Sequence, residues 1–174
     1  MKKQHYQGFT LIELLVALVI AGLLITAGVP RLSSVFSAAS TASSTEELVG
    51  ALAFARGQAI FRQEAVSVCS GTSACSGSNT WTGGWIVFVD GNGDNNYSAA
   101  EPSDELLKVV EVTHGDIEIT YSSDIITFDR LGENIAAAAS QFNFCSDSGA
   151  DAARKTVKVA LVGYTSVKSG AVCS

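Results

Sequence analysis

The feature that most constrains this chain is a long apolar stretch close to its start. Residues 9–29 are almost entirely apolar, and a leader with two lysines, residues 1–8, precedes them. As a helix rising 1.5 Å per residue, this stretch would span roughly 30 Å, which is the thickness of the hydrocarbon core of a bilayer. The sequence therefore predicts one membrane-spanning helix over 9–29, with its basic end in the cytoplasm and the rest of the chain on the other side.

A single acidic residue, Glu13, interrupts this stretch about one helical turn after Phe9. A carboxylate inside a membrane segment is costly and normally has a partner. An ordinary secretory signal peptide or a plain single-span anchor explains the basic leader and the apolar run, but neither explains Glu13. Cleavage between Gly8 and Phe9 would create an ammonium group at Phe9, and Glu13 of a neighbouring copy can pair with it.

The residues Gly8-Phe9-Thr10-Leu11-Ile12-Glu13, with the apolar stretch and Pro30 after them, resemble the class III leader and N-terminus of type IV pilins and type II secretion pseudopilins. The resemblance implies that a prepilin peptidase cuts after Gly8, that Phe9 becomes an N-methylated first residue, and that Glu13 serves filament assembly. It also implies other pilins and an inner-membrane assembly platform as partners. Membrane lipid would surround the helix until the subunit enters a pilus or pseudopilus, with the C-terminal domain in the periplasm beforehand.

The helical pattern continues over residues 30–63. Gly28 and Pro30 weaken helix continuity, so we expect a kink or a local melt there, which in the resembling family acts as a hinge. Between Ser33 and Ser44 the chain is rich in serine, alanine and threonine, which predicts a weakly packed and largely exposed segment. After Thr45 the apolar residues recur with helical spacing, which predicts that this half packs on a globular domain; these residues are Leu48, Leu52, Ala55 and Ala59.

Residues 64–174 change to the two-residue period of β-strands. Strands are predicted at 65–69, 85–90, 105–112, 117–121, 125–128, 141–145 and 156–162, with 117–121 and 125–128 forming a hairpin. A helix packed on such antiparallel strands is an α+β domain. The block Gly84–Asp94, with its sequence GWIVFVDGNGD, resembles the GspH/FimT branch of minor pilins and pseudopilins. That resemblance implies the pilin fold, in which a long N-terminal helix packs on antiparallel sheets.

Four cysteines lie beyond the apolar stretch, at Cys69, Cys75, Cys145 and Cys173. An even count in an oxidising compartment indicates disulfides. Three pairings exist, and we favour Cys69–Cys75, which closes a short loop, with Cys145–Cys173, which holds the C-terminus. A zinc site is the alternative, but no CxxC pair occurs and the two histidines, His5 and His114, are far apart in the sequence.

The loop after the 85–90 strand has the oxygen-ligand spacing of a calcium loop. The spacing puts oxygen-bearing side chains at loop positions 1, 3, 5, 7, 9 and 12, which are Asp90, Asn92, Asp94, Asn96, Ser98 and Glu101. Two features depart from the pattern: Asn95 stands where glycine is usual, and a strand follows instead of a helix. A polar loop of turn-forming residues is the other interpretation. No other cofactor is indicated.

The charge of the chain argues against a nucleic-acid coat. The net charge is −6, and loss of the leader with Lys2 and Lys3 makes the mature side chains −8 (−6 minus 2). Some members of the GspH/FimT branch bind DNA during natural transformation through a C-terminal Gly-Arg-x-Arg element, but both arginines are missing from 163–168. A modest basic cluster remains at Arg154, Lys155, Lys158 and Lys168. It predicts weak DNA contacts or a merely solvated strand face.

No sequence pattern of a common enzyme occurs here: GxSxG, HExxH and the phosphate-binding loop are all absent from the sequence. We therefore expect a structural and assembly protein without catalytic residues. The favoured interpretation is a minor pilin or pseudopilin that assembles into, or primes, a type IV pilus-like filament. The alternatives are a DNA-binding competence pilin and a minor subunit of a type II secretion pseudopilus.

Overall fold

The fold is one long helix followed by eight strands. The structure is a computed structural model that describes residues 9–112, 117–136, 139–146, 153–170 and 173, with only the backbone described at 26–32. The helix is α1, Leu11–Arg62. The strands are β1 (Val66–Ser70), β2 (Gly84–Val89), β3 (Glu105–Glu111), β4 (Ile117–Tyr121), β5 (Ile125–Phe128), β6 (Ser140–Ser146), β7 (Lys155–Val159) and β8 (Thr165–Ser169).

Helix α1 has defined caps at both ends. Thr10 is its N-cap, and Gln63 ends it in the left-handed conformation with φ of 59°. In the last turn, both guanidinium nitrogens Nη1 and Nη2 of Arg62 donate to the Glu105 carboxylate at 2.6 and 3.1 Å. This hydrogen bond lowers the pKa of Glu105 from its ordinary value. The helix is continuous through residues 28–30, so the local melt that the sequence suggested is not observed there.

The strands form two antiparallel four-stranded sheets. Sheet A has the order β3-β2-β1-β5, and sheet B has the order β4-β6-β7-β8. These sheets, together with α1, confirm the predicted α+β class. The predicted hairpin between β4 and β5 is wrong, because β4 pairs with β6 while β5 crosses to pair with β1. The three residues between them form a corner between the sheets, where the Asp124 carbonyl accepts from the Ser70 amide at 3.2 Å.

The last hairpin also differs from the prediction. Strand β7 ends at Val159 and not at Val162, because residues 160–164 turn back into β8, a strand that the sequence analysis missed. At the turn Gly163 has φ of 81°, a conformation that side chains with a Cβ rarely adopt.

The core lies between α1 and the inner faces of both sheets. The predicted stripe on α1 is confirmed, since Leu48, Leu52, Ala55 and Ala59 are all fully buried. Both tryptophans are buried as well, and Trp81 donates from Nε1 to the Ser123 carbonyl at 3.1 Å. Around Trp81 the rings of Tyr121 and Phe142 stack on each other at 4.0 Å, so one aromatic cluster joins the loop before β2 to sheet B.

The segment between Ser33 and Ser44 does not behave as predicted. It was expected to be largely exposed, but one face of it, with Ser37, Thr41 and Ser44, is buried against the domain. The hydroxyl of Thr41 donates to the Ala153 carbonyl at 3.1 Å, so the contact reaches across the chain to the strand region before β7. Small side chains are what permit this close approach, and the Thr41 hydroxyl is satisfied by a backbone carbonyl.

Two disulfides hold the loops of the domain. The structure joins Cys69 to Cys75 and Cys145 to Cys173, which is the pairing that the sequence favoured. Cys69 also belongs to a second, smaller core on the outer face of sheet A, with Ile86, Phe88 and Tyr97. Tyr97 thereby ties the long loop after β2 to the sheet.

Candidate functional site

The N-terminal half of α1 stands apart from the domain. All side chains over residues 9–25 are exposed, although nearly all are apolar; Phe9 is 89% and Leu24 69% exposed. A contiguous apolar surface of this size is rare on a soluble monomer and marks an interaction surface.

Among the residues that the structure describes, no helix combines the length and the apolar character needed to cross a lipid bilayer.

Glu13 occupies a defined position at the start of this half-helix. The Thr10 amide and the Thr10 hydroxyl both donate to Oε2 of Glu13 at 3.1 Å, and the Glu13 amide donates to the Thr10 hydroxyl at 3.3 Å. This reciprocal arrangement is a capping box, which satisfies backbone groups that the first helical turn leaves unpaired. The Glu13 carboxylate is therefore held at Thr10, the residue next to Phe9, where the new N-terminus is expected.

Other predicted processing residues are placed only in part. Gly8 lies outside the described residues, and Phe9 is exposed at the very start of the described chain. Gly28 and Pro30 lie in the continuous middle of α1, where side chains are not described. Processing and hinge motion remain predictions for these four positions.

The predicted calcium ligands lie in a compact loop. Their side-chain oxygens mostly accept hydrogen bonds from other groups of the same loop. Asp90 is buried and accepts from the amides of Gly93 and Asn95 at 2.8 and 3.0 Å. The Asn92 amide nitrogen donates to Asp94 at 3.0 Å and to Glu101 at 2.6 Å.

Asn95 adopts φ of 62°, so it makes the sharp turn that glycine makes in a calcium loop. Asn96 uses its backbone amide to donate to Asp94 at 2.9 Å. Within the described residues no group of three or more metal-binding side chains forms a metal site. Calcium binding stays an untested prediction, and the hydrogen bonds show how the loop is held by its own side chains.

The predicted basic cluster is divided between two faces of sheet B. Lys158 pairs with Ser166 and Thr156 with Lys168, so Lys158 and Lys168 share the outer face. Lys155 lies on the opposite face of β7, which is also the face of the buried Val157. Arg154 precedes the strand and is half-buried. Only two of the four cations thus share a face, which does not favour a nucleic-acid interface.

One residue with a clear structural role was missed in the sequence. Arg56 donates from Nε to the Gly132 carbonyl at 2.9 Å and from Nη2 to the Val162 carbonyl at 3.3 Å, and its guanidinium lies 4.6 Å from the centre of the Tyr164 ring. Arg56 thereby ties two distant turns to α1. The available signal was an arginine between alanine and glycine, Ala55-Arg56-Gly57, in the half of the helix that was predicted to pack on the domain.

Comparison with known proteins identifies the family. Residues 44–163 match the family model "Type II transport protein GspH", which covers more than half of the chain, and residues 3–29 match the "Prokaryotic N-terminal methylation motif". The chain belongs to the GspH family. A comparison with curated proteins gives no match.

Solved structures of this fold include a type IV minor pilin. Two crystal forms of FimU from Pseudomonas aeruginosa PAO1 match with TM-scores of 0.55 and 0.56 at 16% identity, over 72% of this chain and 90% and 86% of FimU. At this identity the likeness shows the fold, which is the pilin fold that the sequence predicted. The motif, the family and the fold together make the chain a minor pilin or pseudopilin, a structural subunit of the kind that assembles with other pilins.

Proposed function

We propose that this GspH-family protein is cut between Gly8 and Phe9 by a prepilin peptidase, is N-methylated at Phe9, and then assembles into a type IV pilus-like filament. It acts there as a structural subunit and not as an enzyme. Before assembly, residues 9–29 anchor it in the inner membrane, with the C-terminal domain in the periplasm. This anchor includes residues 26–29, whose side chains the structure does not describe.

The observation that carries the proposal is the exposed apolar half-helix with one carboxylate at its start. Within the described residues, the domain covers none of the side chains over 9–25, so they need either lipid or other helices around them. In a bundle of such helices Glu13 is the charged group to be neutralised. A methylated ammonium at Phe9 of an adjacent subunit supplies a charge of opposite sign in a setting of low dielectric constant.

The capping box adds a step to assembly. In the single subunit, Oε2 of Glu13 accepts two hydrogen bonds from Thr10. When subunits align, the partner ammonium either displaces the Thr10 donors from the Glu13 carboxylate or binds the carboxylate beside them. Because an unpaired buried charge is costly, any subunit in the wrong register is penalised, so the pairing fixes register as well as stability.

The test separates the charge of Glu13 from its role in the cap. Glu13→Gln keeps an oxygen that can accept from the Thr10 amide, as glutamine does in capping boxes, but it removes the charge. Glu13→Ala removes both. We expect both variants to insert into the membrane at wild-type levels and to be recovered from sheared filaments at one-tenth of the wild-type amount or less, which corresponds to about 1.4 kcal/mol or more.

A matched control is Thr10→Ala, which removes the hydroxyl of the capping box and leaves the charge in place. This variant should assemble nearly as well as the wild type. Wild-type recovery of Glu13→Gln in filaments would show that assembly does not need the charge, and this would contradict the proposed pairing.

A further inference from the structure

A second exposed apolar surface lies at the other end of α1. We call it the distal patch; it consists of Ile60, Leu131, Leu161, Val162 and Tyr164. Leu131 is 69% and Tyr164 67% exposed, and the other three are also exposed. The patch brings together α1, the turn after β5 and the turn between β7 and β8, which are far apart in the sequence.

Short contacts fix the three segments to one another. The Asn134 amide donates to the Leu161 carbonyl at 2.7 Å, which joins the two turns. At Gly132, an added Cβ would lie 2.7 Å from Cδ1 of Ile60, so this turn lies directly on the helix. The distal patch is therefore a preformed surface on a rigid support and not a set of separate loop residues.

The charged side chain of Arg56 borders this surface and already has local partners. Arg56 gives hydrogen bonds to the carbonyls of Gly132 and Val162, and its guanidinium faces the Tyr164 ring. Two carbonyl dipoles and an aromatic face stabilise the cation without a carboxylate. A partner does not have to bring a negative charge, so an apolar partner suits the patch.

A small cavity opens beside the patch along α1. Its volume is about 270 Å³, and its lining includes Ala53, Gly57 and Tyr164. A Cβ added at Gly57 would meet nothing within 4 Å, so the helix surface is recessed and open there. Such a recess is large enough to receive a bulky apolar side chain from a partner.

We propose that the distal patch and this cavity bind the apolar N-terminal half-helix of an adjacent pilin subunit. The proposal rests on the proposed function, because it needs a filament of parallel subunits. Ile60 and Gly57 belong to α1 itself, so the patch continues the helix surface that forms the filament core. From the middle of the N-terminal half to Gly57 is about 40 residues, or roughly 60 Å of helix. A parallel copy displaced by that amount brings its apolar half beside the patch.

The chemistry of the two surfaces agrees with this choice. The N-terminal half presents apolar side chains over residues 9–25, and Glu13 is its one charged residue there. Contact between two apolar surfaces removes both from water, which is the main source of association free energy.

Photo-crosslinking in assembled filaments tests the proposal. A photoreactive phenylalanine analogue replaces Tyr164 in the full chain, cells are irradiated, and the adduct in sheared filaments is mapped by mass spectrometry. We expect the adduct on the apolar N-terminal stretch of another pilin. An adduct confined to a globular domain, or none in filaments that contain the variant, would overturn the proposal and leave the proposed function intact. Failure of the wild-type chain to enter filaments would overturn both.

Two substitutions with matched exposure give an independent measurement. Leu161→Asp places a charge in the distal patch, whereas Val167→Asp places one on the same hairpin outside it; the two side chains are 46% and 48% exposed. At equal cellular levels of the chain, Leu161→Asp should lower recovery in filaments roughly tenfold, as expected when a leucine leaves an apolar contact. Val167→Asp should lower it less than twofold. Equal recovery of the two variants would contradict the proposal.

Discussion

Gly163 illustrates what a single residue contributes at the point where two turns meet. A Cβ at this position would lie 2.0 Å from the Gly132 carbonyl oxygen, and φ is 81°. Glycine is therefore required twice, once for the backbone conformation and once for the close approach. The sequence offered no signal for the second requirement, because the two turns are brought together only by tertiary structure.

Replacing this glycine tests both requirements. Gly163→Ala should lower the free energy of unfolding by about 3 kcal/mol, measured by urea unfolding of the detergent-solubilised chain. The control is Gly77→Ala, where φ is 65° but a Cβ meets nothing within 4 Å. It should cost about 1 kcal/mol, the penalty of the backbone conformation alone. Equal losses would show that the contact with Gly132 is unimportant.

The burial of Tyr121 leads us to expect that the stability of the protein falls at alkaline pH. Burial raises the pKa of its phenol, and a hydrogen bond between the Tyr121 and Ser140 hydroxyls at 2.5 Å partly opposes this. The pKa of a tyrosine in the unfolded chain is about 10. The folded protein thus keeps the phenolic proton at a pH where the unfolded chain has lost it. Stability from this group is full below pH ~10 and falls as the pH rises towards the raised pKa.

The variant Tyr121→Phe should remove this alkaline loss. Near neutral pH it should cost about 1 kcal/mol for the lost hydrogen bond. The difference between wild type and variant should then shrink, measured by urea unfolding at several pH values between about 8 and 11. A difference that stays constant with pH would show that Tyr121 does not titrate differently in the folded protein.

At the scale of elements, the sequence predicted well where the strands lie but predicted poorly which strands pair. The alternation in Ile117–Tyr121 and Ile125–Phe128 predicted both strands, but a three-residue link is compatible with a hairpin and with a corner between sheets. The outcome depends on β1 and β6, which provide the pairing partners. Likewise, small polar residues between Ser33 and Ser44 suggested exposure, whereas their size is what lets the domain pack closely against α1.

The docking of that helical segment depends on one buried hydrogen bond from Thr41. Thr41→Val keeps the shape but leaves the Ala153 carbonyl without this donor, so we expect a loss of about 2 kcal/mol in unfolding free energy. Thr45 is the matched control, because its hydroxyl donates at 2.6 Å only to the Thr41 carbonyl within the same helix. Thr45→Val should cost less than about 1 kcal/mol. A loss at Thr45 as large as that at Thr41 would rule out the docking role.

At the scale of the whole molecule, the chain has two parts with different requirements. The second half of α1 and strands β1–β8 form a domain with its own core and two disulfides, while the half-helix over 9–25 leaves its apolar surface uncovered. The sequence predicted this division because an apolar run with one carboxylate is strongly constrained by physical chemistry. It did not predict the distal patch, whose residues come from three separate segments and whose proximity is a product of the fold.

The most direct test of the account is the intact mass and N-terminal sequence of the mature protein. We predict a chain that begins at Phe9, carries one added methyl group on its α-amine, and retains both disulfides. The measurement is best made on protein recovered from sheared filaments and from membranes in parallel. A mature chain that begins at any other residue, or one that retains Met1–Gly8 in filaments, would contradict the account.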